Sequence, residues 1–133
     1  MNDASDVYLR KAEQSLAGAN SEFANGRYDN AANRCYYACF QAANHALLAA
    51  GIRPRGANGQ WGHDFVQAEF IGTLINRRKL YASHLREVLF RNLGLRHEAD
   101  YGESTITQTQ ASRALHRARE FLEATQPGRR GVS

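Results

Sequence analysis

Apolar residues recur three and four positions apart along most of the 133-residue chain, the spacing that gives an α-helix one buried face. Tyr8, Ala12, Leu16, Ala19 and Phe23 make one such stripe and predict a helix over 4–24, capped by Asp3 or Ser5 and stopped at Asn25-Gly26. The next segment, 28–50, carries two stripes. One is Ala32, Tyr36, Cys39, Ala43, Leu47 and Ala50; the other, of small residues, is Ala31, Cys35, Ala38, Ala42, Ala46 and Ala49. A helix apolar over this much of its circumference belongs between neighbours, at the centre of a bundle. Glycines and Pro54 crowd 51–62 and predict a loop, with Arg53 and Arg55 as solvated charges. Phe65, Val66, Phe70, Leu74 and Ile75 predict a third helix over 63–77, with His63 as a capping group and Arg77-Arg78-Lys79 complementing the C-terminal end of the helix dipole. A fourth helix begins near Leu80, carries Leu85, Val88, Leu89 and Leu93, and ends between Gly94 and Gly102. A last helix covers 107–124, capped by Thr105 or Thr107, with Ala111, Ala114, Leu115, Ala118, Phe121 and Leu122 inward. The fold class that follows is all-α: an up-and-down bundle of four main helices plus a fifth helical segment.

Composition narrows the picture further. With 43% hydrophobic residues the chain has enough for a core, which excludes wholesale disorder. Residues 1–126 read as a single domain and 127–133 as a flexible basic tail. Charge interrupts every apolar run, so no segment is expected to span a membrane. Met1-Asn2-Asp3-Ala4-Ser5 lacks a signal-peptide pattern, and two cysteines do not make a disulfide scaffold, so the expected location is cytoplasmic. Seventeen Lys+Arg against thirteen Asp+Glu give a net charge of +4, which permits RNA or a nucleotide as partner without demanding either.

The chemistry-bearing motifs are few. Cys35 and Cys39 would supply only half of a zinc site and read as buried small hydrophobes. His45, His63, His84, His97 and His116 stand singly, and His45 reads as a hydrogen-bonded packing residue. Neither a metal site nor a cofactor motif such as a phosphate-binding Gly-Lys-Ser/Thr loop is expected. The concentrated polar stretch is Arg91 to Gly102, which crowds Arg91, Asn92, Arg96, His97, Asp100 and Tyr101 into about three helical turns. Arg96 and Asp100 share a face as an (i, i+4) pair. Arg91 and His97 lie about 120° and about 9 Å apart on a straight helix, too far to touch, though both can border a cleft. An arginine that grips phosphate beside a histidine that moves a proton near neutral pH can cleave a phosphodiester without a metal. The plainer reading is a helix end decorated with an ion pair.

Three stretches together resemble the HEPN (higher eukaryotes and prokaryotes nucleotide-binding) family in its small stand-alone form. They are Leu9 to Ala32 around the first turn, Arg34-Cys35-Tyr36-Tyr37-Ala38-Cys39-Phe40-Gln41-Ala42-Ala43, and Arg96-His97-Glu98-Ala99-Asp100-Tyr101-Gly102 with the final helix. The resemblance implies a helical bundle that dimerises and acts as a metal-independent RNase, often a toxin partnered with a nucleotidyltransferase antitoxin. It also implies roles: Arg91 holds the scissile phosphate, Asn92 orients the site, and His97 is the general acid/base in an attack by the RNA 2′-OH that yields a cyclic phosphate. Arg96, Asp100 and Tyr101 are implied binding residues. They also fit a second correspondence, in which the arginine before Ala-Asp-Tyr is the family's and His97 is incidental. On that version the protein is a non-catalytic module that binds a nucleotidyltransferase partner.

Overall fold

The computed structural model describes residues 4–53 and 62–127. Among them are α1 (Ala4–Ala24), α2 (Tyr28–Ala49), α3 (His63–Glu69), a π-helical segment (Phe70–Arg77), α4 (Leu85–Tyr101) and α5 (Gln108–Thr125), an all-α bundle as the apolar spacing predicts. Asp3, Arg55 and the tail from Gly128 onward lie outside the described residues.

α2 is the axis of the bundle and packs against α1, α4, α5, α3 and the π segment. Its alanines and cysteines explain this, because small side chains let five neighbours approach one backbone. Cys35 and Cys39 are free and buried, and burial pushes both thiols up to about 12. The large core side chains come from the other elements. Phe70 lies 5.1 Å from Phe121 and stacks on Tyr81 at 5.2 Å, ring centre to ring centre. Gly26 (φ 76°) turns the chain between α1 and α2 in a left-handed conformation that residues with a Cβ avoid.

Four local expectations change. Ser5 does not cap α1; it is buried within the helix, and its Oγ lies 2.7 Å from Nδ1 of the buried His45, tying α1 to α2. His63 does not cap α3; it is the first residue of that helix after Gly62, and its side chain turns to Tyr36. The third helix is not uniform: from Phe70 it widens into a π-helix, closed by Arg78 N donating to Thr73 O at 2.8 Å. The wider turn puts Phe70, Leu74 and Ile75 together in the core. Finally, α4 starts at Leu85, because Lys79 adopts φ 54° and the chain bends before the helix can form. The N-cap of α5 is Thr107, in a capping box with Gln110.

Candidate functional site

α4 carries every residue of the expected site, and its two faces have different partners. Leu85, Val88, Leu89 and Asn92 are buried against the bundle. Phe90, Gly94, His97 and Tyr101 are exposed and fall within about 60° of one another around the helix. Phe90 and Tyr101 are 58% and 74% exposed, the highest values among the large hydrophobic side chains described. The helix runs unbroken through Gly94 to Tyr101 and closes at Gly102.

Asn92 is fully buried. Its Nδ2 donates to Ala114 O at 3.4 Å and to Cys39 Sγ at 3.5 Å, and its Oδ1 accepts from Arg117 Nε at 2.7 Å. One side chain thus fastens α4 to α2 and α5. Arg91, on the next residue, is exposed and forms a loose ion pair with Glu87 at 3.6 Å. It borders a groove between α4 and α5 together with Arg113 and Arg117.

On the opposite flank Arg96 is only 16% exposed. Its guanidinium lies over the rings of Tyr36 and Tyr37, 5.6 Å from each centre, and Nη2 donates to Tyr37 Oη at 3.4 Å. Its Nε stands 3.1 Å from Asp100 Oδ2, an ion pair without hydrogen-bond alignment. Asp100 also accepts from Asn33 Nδ2 at 3.2 Å, so the end of α4 is fastened to α2. His63 completes this cluster. Its Nδ1 hydrogen-bonds Tyr36 Oη, and its ring sits 4.6 Å from Phe40. Burial first, and then the positive charge of Arg96, hold the His63 imidazole below its ordinary pKa. Burial also raises the Tyr36 phenol. His97 is exposed on the outer face, its ring 5.9 Å from Tyr101.

The structure therefore brings Arg96, Asp100 and the tyrosine pair together. It leaves Arg91 and His97 exposed on different sides of α4 and buries Asn92 between them. Arg113 and Arg117 were not singled out in the sequence, and His63 was read there only as a capping group. The arginines had a signal in their (i, i+4) spacing of like charges on α5. His63 had none, because its partners come from α2, 27 residues away in the case of Tyr36. Among the described residues no helix is long and apolar enough to cross a membrane, and no group of three His, Cys, Asp or Glu side chains is placed to hold a metal ion.

The chain is 28% identical over 115 residues to a Methanocaldococcus jannaschii protein named as a candidate toxin, which covers 84% of this chain and 78% of that protein. It is 32% identical over 83 residues to a UPF0332 protein of Pyrococcus horikoshii, covering 60% of this chain and 54% of the relative. The sequence pattern of the HEPN domain matches residues 5–127, nearly the whole bundle. The chain belongs to the HEPN domain family.

Proposed function

We propose that this HEPN protein acts as a homodimer on single-stranded RNA, as the toxin component of a toxin–antitoxin pair, and cleaves the strand without a metal ion. The observation that carries the reading is the outer face of α4. It presents Phe90, Gly94, His97 and Tyr101 as one exposed stripe, with Arg91 at its edge. Arg91 and His97 each lie three residues from Gly94, about 4.5 Å along the axis in opposite directions. Two copies crossing antiparallel at Gly94, where no side chain keeps the backbones apart, set Arg91 of one level with the partner subunit's His97. A two-fold axis makes the second site identical. The pair that one straight helix keeps apart is thus united by symmetry.

In this site Arg91 binds the scissile phosphate, and the His97 imidazole takes the proton from the RNA 2′-OH. The 2′ oxygen attacks phosphorus, the bond to the 5′ oxygen breaks, and the leaving oxygen is protonated by the imidazolium. The products are a 2′,3′-cyclic phosphate and a 5′-hydroxyl. Asn92 does not reach substrate; it orients the segment from within the bundle. The likeness to a protein named as a candidate toxin supports the same reading. Incubation of purified protein with single-stranded RNA in EDTA tests it. Fragments ending in cyclic phosphate are expected, lost in Arg91→Ala and His97→Ala and retained in Lys79→Ala. Intact RNA across varied sequences would leave the alternative, a non-catalytic module that offers exposed Tyr101 and Phe90 to a nucleotidyltransferase antitoxin.

A further inference from the structure

The groove between α4 and α5 is a distinct feature of about 530 Å³, bordered by Arg91, Arg113 and Arg117, with Glu98, Thr105 and Gln110 among the other residues that line it. Three guanidinium groups face one carboxylate there. Arg113 and Arg117 take part in none of the ion pairs found among the described residues. Arg91 has only its loose pair with exposed Glu87. Arg117 is half-buried, yet its recorded partner is the neutral amide of Asn92, which fixes Nε at 2.7 Å. Burial, and next the neighbouring Arg91, lower its proton affinity, and Arg113 adds to that effect. Like charges drawn together without compensation are relieved by an anion.

We propose that this groove binds the sugar-phosphate backbone of single-stranded RNA next to the cleavage point. Successive phosphates rest on Arg113 and Arg117, and the strand leads on to Arg91. The inference rests on the RNA reading above and extends it, since Arg91 belongs to both the groove and the proposed cleavage pair. Arg113 and Arg117 are one turn apart on α5, about 6 Å along the axis. That spacing suits neighbouring phosphates on one strand. Arginine also matches the phosphate group with paired N–H donors. Pinning Arg117 through Nε reduces the side-chain freedom lost when the groove is occupied.

Anisotropy of a fluorescein-labelled 2′-O-methyl oligouridine, which has no nucleophile and stays uncut, reads the groove separately from cleavage. Arg113→Gln and Arg117→Gln are each expected to weaken binding about five- to tenfold and to reduce the slope against log salt by about 0.7. Arg119→Gln, an equal charge change on the same helix whose side chain bonds Asn20 on α1 at 2.7 Å, is expected to stay near wild type. Arg113 is exposed, so its variant tests the groove without disturbing the core. Binding by Arg113→Gln equal to that of Arg119→Gln would overturn the proposal. Displacement of the probe by uridine monophosphate as effective, nucleotide for nucleotide, as by an unlabelled strand would also overturn it, in favour of a free-nucleotide site. Binding through Arg113 and Arg117 with the 2′-hydroxyl strand left whole keeps the groove and sinks the cleavage reading. Undiminished cutting by both groove variants does the reverse.

Discussion

Asn92 Oδ1 accepts a 2.7 Å hydrogen bond from Arg117 Nε, while the amide nitrogen of the same side chain donates to Ala114 O. Three helices meet at this fully buried group. Asn92→Ala leaves the Arg117 Nε–H and the Asn92-facing side of Ala114 O without this partner, a loss of about 1–3 kcal/mol. Urea denaturation is expected to show a lower midpoint with an unchanged slope. If Asn92 instead worked only at the chemical step, activity would fall and the midpoint would stay.

The proposed site shared by two subunits predicts complementation. Arg91→Ala and His97→Ala homodimers are each expected to be inactive. After equal mixing and subunit exchange, half of the dimers carry one intact site out of two, so about a quarter of wild-type cleavage should return. Failure of the mixture to cut, with exchange confirmed by mass spectrometry, would exclude a site formed from the two chains.

Gly94 sits in the middle of α4 with nothing within 4 Å of the position a Cβ would take. Gly94→Ala should therefore stabilise the isolated subunit by about 1 kcal/mol, the helix-propensity difference. In the proposed dimer a bulky Gly94→Phe should hold the backbones of the two subunits apart. Sedimentation velocity is expected to show it dissociating at concentrations where wild type stays dimeric. An unchanged dimer would move the contact away from Gly94.

His63 links pH to stability. Its imidazole is held below the ordinary value of about 6.5 by burial and by Arg96. Between about 6.5 and that lowered value the unfolded chain binds the proton that the native state refuses, so stability falls as pH falls through the window. Thermal midpoints measured downward from neutral pH should decline, and less steeply in His63→Gln. Equal slopes for the two proteins would show that His63 does not set the dependence.

Much of the bundle was legible in the chain because helices answer to local spacing. α1 and α5 follow from their stripes, Gly26 and Thr107 mark their limits, and the two small-residue stripes place α2 at the centre. The π segment was hidden by its own pattern. Phe65, Phe70 and Ile75 recur at five, but Val66, Phe70 and Leu74 recur at four, and an ordinary helix accommodates the second set. Lys79 misled in another way, since a left-handed turn at a residue with a long side chain has no local signature.

The candidate site divides along the same line. The sequence by itself determined that Arg91, Asn92, Arg96, His97 and Asp100 crowd into about three helical turns, because spacing along a helix is a matter of counting, while the end of that helix stayed open between Gly94 and Gly102. Only the tertiary structure decided their separate circumstances. Asn92 is buried beneath the surface, Arg96 lies over the two tyrosines, and Arg91 faces a groove completed by α5, 22 and 26 residues further on at Arg113 and Arg117. Burial, charge compensation and groove shape depend on which helices pack together, and no window of the chain contains both sides of such a contact.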